Sequence, residues 1–210
     1  MNTPSPPFAD PAGTWDRRYA VDEYLFGTQP NAWLREHASV WKPGDRVLCV
    51  ADGEGRNSVW LAARGLVVDA FDVSSVAVEK ARKLAAEHGV SVSFSVADCD
   101  NYLWQEAAYD GVAAIFIQFA DPDMRSRIFA HAIRSLKPGG ILILQGYTPK
   151  QLEYRTGGPG IEAHLYTAPM LREAFRDLDI LELREYDADV DEGAGHRGRS
   201  ALVGLVGRRR

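Results

Sequence analysis

The stretch Val47–Ala62, "VLCVADGEGRNSVWLA", runs from a short apolar segment, through a turn holding two glycines and two acids, into a second apolar segment at helical spacing. Val47 to Val50 reads as a buried strand and Asn57 to Arg64 as a helix, which puts Gly53 and Gly55 in a strand-to-helix turn. Such a turn presents bare backbone amides at the carboxyl edge of a parallel sheet, where α/β proteins bind their ligands. The next apolar run, "LVVDAFD" (Leu66 to Asp72), completes a strand–helix–strand unit and sets the class as α/β.

The alternation continues outward from this unit. Ser74 or Ser75 caps a helix whose apolar residues are Val76, Ala77, Ala81, Leu84 and Ala85. "VSVSFSV" alternates as a half-buried strand does, and "GVAAIFI" is continuously apolar, as a central strand is. Met124, Ile128, Ala132 and Leu136 recur every four residues until "KPGG", a stop signal, and "ILILQGY" is a fifth strand. A broken, Gly-rich stretch runs from Pro149 to Thr167, and a short helix from Met170 to Leu178 follows it. "DILELREYDADV" and "SALVGLVG" then form two strands with no helix between them, which implies an antiparallel hairpin at one sheet edge. Upstream, Pro30 opens a helix carrying Ala32, Trp33, Leu34 and Val40. The Pro-rich start predicts a flexible segment over 1–13 and one domain over 14–207.

With 210 residues, 46% of them hydrophobic, the chain has enough apolar material for one sizeable core. A net charge of −5 disfavours nucleic acid and anionic lipid as partners. Arg208, Arg209 and Arg210 read as a solvated basic end. No run of about 18 apolar residues and no leader pattern occurs, so a cytoplasmic protein with no membrane partner is expected, as monomer or weak homodimer. Cys49 and Cys99 are too few for a disulfide framework. His37, His88 and His131 have no partners at metal spacing, and no metal site is expected.

The turn itself narrows the ligand. It matches the dinucleotide pattern G-x-G-x-x-G only in part, because Ser58 stands at the third glycine. Asp52 and Glu54 oppose a pyrophosphate, since like charges about 4 Å apart repel by about 1 kcal/mol even in water. They suit a cationic ligand such as S-adenosylmethionine, with its sulfonium and ammonium. Asp72, ending the second strand, is placed to accept both hydroxyls of a ribose, a need that cofactor shares with NAD.

"VLCVADGEGRNSVWLAARGLVVDAFDVSSVAVEKA" resembles the glycine and acidic loops of class I S-adenosylmethionine-dependent methyltransferases. Among these it is similar to the small bacterial tellurite-resistance-type group, in which G-x-G-R-N and a following D-x-S recur. "WDRRYAVDEYLFGTQPNAWL", "LKPGGILILQGYTPKQLEYRTGGPG" and "DEGAGHRGRSALV" resemble further blocks of that group, in the same order. The resemblance implies a Rossmann-like, mostly parallel sheet of seven strands in the order 3-2-1-4-5-7-6, strand 7 antiparallel, with helices on both faces. It also implies a cofactor site: Ala51, Asp52, Gly53 and Gly55 around the methionine part, Asp72 on the ribose and Val73 against the adenine. Asp98 and the backbone of Cys99 would meet the adenine edge, and Phe116, Ile117 and Gln118 would floor the site near the methyl. Cys49 stands where many class I enzymes carry an acid, and Ala51 where many carry glycine.

The implied reaction is in-line displacement of the methyl onto a small-molecule acceptor: a thiol, a chalcogen oxyanion such as tellurite, or another metabolite. This chemistry needs alignment more than acid–base groups. The acceptor side falls to the N-terminal block and the segment from Tyr147 to Tyr166, where Trp15, Tyr19, Tyr24 and Phe26 are candidates for a lid. Tyr19, Phe26, Tyr154, Arg155, His164 and, at the late hairpin tip, His196 are the acceptor-side candidates. Two rival readings are a non-catalytic module binding the same cofactor and an NAD-dependent oxidoreductase.

Overall fold

A computed structural model describes residues 10–210. Helix α1 (Pro11–Tyr19) starts behind Asp10, whose side chain accepts from the Gly13 N–H. Pro11, Ala12 and Gly13 are thus helical rather than part of a loose leader, while residues 1–9 of the expected 1–13 segment lie outside the described residues. Helix α2 (Ala32–His37) is capped by Asn31 and runs into a 3-10 turn, Ala38–Val40. Pro30 precedes the cap instead of occupying the first helical turn, and Val40 is exposed.

Strand β1 (Arg46–Val50), helix α3 (Arg56–Ala63) and strand β2 (Val67–Asp72) form the expected unit. Ser74 caps α4 (Ser75–Glu87), accepting from the Ala77 N–H at 3.1 Å. On α4 the buried stripe includes Val78 rather than Val76. Strand β3 (Ser93–Val96) is an edge strand with only Phe94 half-buried, shorter and wetter than its alternation suggests. Strand β4 (Tyr109–Ile115), helix α5 (Pro122–Ser135) and strand β5 (Leu136–Tyr147) follow, then a short α6 (Gln151–Tyr154) and a 3-10 turn, Glu162–His164. Helix α7 (Ala168–Ala174) ends earlier than the sequence suggests, because Leu178 already belongs to β6 (Leu178–Asp191). Strand β7 (Arg197–Arg209) closes the chain.

The seven strands lie in the order β3-β2-β1-β4-β5-β7-β6, with β7 antiparallel to both neighbours. The side-chain period of two divides the core between the sheet faces. Val47 and Cys49 of β1, Ala113 of β4 and Ile141 and Ile143 of β5 pack with Trp33, Leu34 and Leu61 on one face. Leu48, Val50, Val112, Ala114, Leu142 and Leu144 pack with Ile128, Phe129 and Leu171 on the other. Each fully buried Val, Leu, Ile or Phe side chain among these contributes about 1.5–3 kcal/mol.

The C-terminal arginines correct the sequence reading in part. Arg208 and Arg209 are strand residues, Arg209 donates to the carbonyls of Arg134 and Leu136, and Arg210 pairs with Asp179 at 2.8 Å. Arg209 and Arg210 tie the last strand to α5 and β6, while Arg208 and Arg210 remain exposed, as expected of a solvated end. Among the described residues no helix is long and apolar enough to cross a membrane.

Candidate functional site

In this strand order the chain reverses direction across the sheet between β1 and β4, and a crevice opens at the carboxyl ends of that pair. The residues that leave the two strands are both strained: Ala51 has φ +47° and Phe116 has φ +55°, a region that side-chain-bearing residues avoid. They line the same cavity, which encloses about 620 Å³, within the roughly 300–1,000 Å³ of small-molecule sites.

The glycine turn forms the cavity's inner wall. Gly53, at φ +62°, lies under the Tyr19 ring, and a Cβ there would sit 2.8 Å from the Tyr19 hydroxyl. Gly55 has a different role. It does not line the cavity; a Cβ on it would meet the Ala81 Cβ at 2.7 Å, so it lets α3 approach α4. The acids separate as well. Asp52 lines the cavity, with Ser58 Oγ donating to its Oδ2 and its Oδ1 buried without a partner. Burial pushes its carboxyl up to about 7. Glu54 points away: it pairs with Lys80 at 2.5 Å in a buried contact and accepts from the Phe26 N–H. Its role is structural, contrary to the expectation that both acids face the ligand. Lys80 also donates to the carbonyls of Tyr19, Val21 and Glu23, so this pair holds the N-terminal segment over the crevice.

Asp72 is 6% exposed, and the N–H groups of Gly53 and Ser74 donate to its two oxygens at 2.9 Å each. The carboxylate is thereby fixed at the end of β2, facing the cavity with its remaining lone pairs, while burial pushes it up to about 6. Val73, Asp98 and Cys99 also line the cavity. Asp98 shapes its own loop, accepting from the N–H groups of Asp100 and Asn101, and Trp104 Nε1 donates to the Cys99 carbonyl at 2.8 Å. Burial raises both cysteine thiols far above their usual range.

Two expected floor residues sit behind the wall. Ile117 is fully buried in the core, and Gln118 bridges backbone, donating to the carbonyls of Tyr147 and His164 and accepting from the Tyr147 N–H. Only Phe116 of that trio reaches the cavity.

Of the acceptor-side candidates, Tyr19, Phe26, His164 and His196 line the cavity. Tyr154 and Arg155 do not: Tyr154 donates to Asp187 at 2.8 Å, and Arg155 is an exposed residue ending α6. Trp15 joins the lining, whereas Tyr24 packs on Lys80 of α4. His164 Nδ1 donates to the Gln118 carbonyl at 3.1 Å, so that nitrogen carries a proton. His196 is wedged between Phe26 and Phe116, with ring centroids 4.5 Å away in each case; burial lowers its pKa and favours the neutral ring, against the pull of Glu192 3.9 Å from Nδ1. Arg56 is a site residue that the sequence reading did not single out. It is buried, lines the cavity and pairs with Glu192 at 2.7 Å. Its position directly after G-x-G was the available signal, but an arginine in the first turn of a helix usually reads as solvated.

Residues 47–140 match the family described as a methyltransferase domain. Over 156 residues, 68% of its length, the chain is 31% identical to the uncharacterized protein YjhP of Escherichia coli (strain K12), and it spans 60% of that relative. A solved S-adenosylmethionine-dependent methyltransferase of Methanosarcina mazei superimposes with a TM-score of 0.70 at 19% identity, covering 86% of this chain and 98% of that one. TehB from Haemophilus influenzae gives a TM-score of 0.70 at 17% identity, covering 95% of this chain and 67% of that one. The fold is the Rossmann-like fold of S-adenosylmethionine-dependent methyltransferases, and the methyltransferase-domain match spans β1 to the start of β5, which supplies most of the residues lining the crevice.

Proposed function

We propose that this chain is an S-adenosylmethionine-dependent methyltransferase acting on a small molecule. The observation that carries the reading is a pair of carboxylates, buried Asp72 and half-buried Asp52, on the wall of a cavity at the β1/β4 switch point. The residues fit this cofactor. Asp72 would take the ribose hydroxyls, Val73 the adenine, and Asp52, with its unpartnered oxygen, the positive end of the methionine part. A pyrophosphate would face the same two acids, which disfavours NAD. When bound, the cofactor supplies a methyl group already activated by a sulfonium leaving group.

The chain's own part is placement and exclusion of water. Tyr19, Phe26 and Phe116 give the open end an aromatic wall suited to a compact acceptor, and burial of His196 between the rings favours the neutral imidazole that a base would need. The resemblance to the tellurite-resistance-type group puts thiols and chalcogen oxyanions first among acceptors. We read the protein as acting in the cytoplasm without a nucleic-acid partner, as monomer or weak homodimer; its two free, buried cysteines suit a reducing compartment. Incubation with methyl-labelled cofactor and a panel of thiols, tellurite, selenite and small carboxylates tests this. Label in one acceptor is expected. Tight cofactor binding with no transfer to any acceptor would leave a binding module instead.

A further inference from the structure

The tip of the β6–β7 hairpin sets an acid opposite an imidazole. The Glu192 N–H donates to the His196 carbonyl at 2.8 Å, which closes the tip, and the Gly195 N–H donates to the Leu25 carbonyl at 3.0 Å, which docks it on the N-terminal segment. His196 Nδ1 is buried and makes no hydrogen bond among the described residues, and Glu192 Oε2 lies 3.9 Å from it. Nδ1 is therefore turned toward a carboxylate, and Nε2, on the far side of the ring, is the nitrogen left to the cavity that His196 lines. A proton on Nδ1 suits the carboxylate and keeps the Nε2 lone pair open.

Glu192 is fixed from two other segments. Its Oε1 accepts from Asn31 Nδ2 at 3.0 Å and from the Ala32 N–H at 3.3 Å, and its Oε2 pairs with Arg56 Nη2 at 2.7 Å. Burial alone would raise its carboxyl, but His196 and Arg56 hold it down at about 2, so it is ionised at any working pH. The groups facing His196 divide by sign. Burial among the rings of Phe26, Phe116 and, from β5, Tyr147 lowers its pKa. Glu192 on its own hairpin raises it, while Arg56 of α3 and Arg18 of α1 lower it. The ring therefore starts neutral, with a fixed anion behind the nitrogen that faces away from the cavity.

We propose that the methyl acceptor is a thiol in its protonated form, with His196 as the base that takes its proton and Glu192 as the residue that positions His196. This rests on the cofactor reading above and selects one acceptor class within it. As the S–H bond breaks, its proton passes to Nε2. The freed pair on sulfur forms the bond to the methyl carbon, and the pair of the breaking sulfonium bond stays on the departing sulfur. Charge balances, because the positive charge of the sulfonium ends on the imidazolium, where Glu192 meets it. A chalcogen oxyanion attacks without losing a proton and would leave this pair idle, whereas sulfur packs well against the Phe26 and Phe116 rings that line the cavity.

Two readouts on the full chain test this. In a long-range nitrogen–proton NMR spectrum, His196 should carry its proton on Nδ1, and Glu192→Gln should lower its pKa. In methyl transfer at pH 7.5, the alkyl thiol 2-mercaptoethanol keeps its proton, while thiophenol is largely ionised. His196→Gln should slow transfer to 2-mercaptoethanol about 100-fold or more, a loss at least about tenfold larger than with thiophenol. Glu192→Gln should lower kcat for 2-mercaptoethanol about tenfold with KM within about twofold, and move the acid limb of the pH profile down. A merely structural role would slow both thiols alike. Equal losses for the two thiols, an Nε2-protonated ring in the wild type, or no transfer to either thiol while S-adenosylhomocysteine binds would each overturn the proposal. Should Glu192→Gln fail to fold with Arg56 unpaired, the wild-type spectrum and the His196→Gln rates decide it. If S-adenosylhomocysteine does not bind to the wild type, the cofactor reading has failed and this proposal with it.

Discussion

Asp72→Asn separates a carboxylate built for a ligand from one built for the fold. Asp72 is almost fully buried and receives two N–H groups, from Gly53 and Ser74. An amide of the same shape turns one oxygen into a donor facing an N–H, which costs about 1–3 kcal/mol. A second effect has the opposite sign. Burial raises the Asp72 carboxyl from 3.8 to about 6, so the folded state holds this proton more tightly than the unfolded chain does. The ionised group therefore destabilises the fold by about 3 kcal/mol above pH 6, an effect that vanishes below pH 4. The neutral amide escapes it. At pH 8 the two effects offset, and the unliganded variant should melt at the wild-type temperature or a few degrees higher. Relative to wild type it should gain stability as pH rises from 4 to 7. Affinity for S-adenosylhomocysteine should nonetheless fall at least about tenfold, through loss of the ribose bonds. Thermal melts across pH, paired with calorimetry, read both. Unchanged affinity, or a melting loss at pH 8 large enough to explain the lost binding, would refute the reasoning.

Other substitutions and conditions test separate parts of the site. Gly55→Ala places a Cβ 2.7 Å from that of Ala81 at φ +88°, and a urea melt should show a loss of about 2–4 kcal/mol; an unchanged midpoint would contradict the packing role. Lys80→Met leaves Glu54 buried without its cation, so stability should fall by about 3–5 kcal/mol, and hydrogen exchange should quicken over residues 19–26. Because burial holds Asp52 near 7 and Asp72 near 6, S-adenosylhomocysteine should bind more tightly as pH rises from 5.5 to 7.5. Asp52→Asn should flatten the upper part of that rise in a calorimetric pH series. Cys49 and Cys99 should resist a thiol reagent at pH 8 in the folded protein and react only on unfolding, since burial keeps both protonated.

Much of this architecture is legible in the sequence because the sheet is buried on both faces. Continuous apolar runs such as Val47–Val50 and Ile141–Leu144 admit few other readings, and two late strands without a helix between them fix the antiparallel hairpin. The edges read less well. Strand β3 has the right alternation, yet its position at the rim leaves Ser93, Ser95 and Val96 exposed. In the site, residues in the glycine turn and at the end of β2 fall where the pattern puts them, since strand ends and helix starts locate them. What failed was side-chain direction. Glu54 and Asp52 look equivalent in sequence, but only the structure shows Glu54 turned toward Lys80. Gln118 and Ile117 follow Phe116 in sequence, but the left-handed turn at Phe116 sends them behind the wall. Arg56 depends on Glu192, 136 residues away, a pairing that no local pattern encodes.

The measurement that bears most directly on the central claim is a calorimetric titration of the full chain with S-adenosylhomocysteine, run beside NADH. The account predicts one-to-one micromolar binding of S-adenosylhomocysteine and none of NADH. Binding of NADH alone would contradict the cofactor assignment and the methyl-transfer chemistry that depends on it.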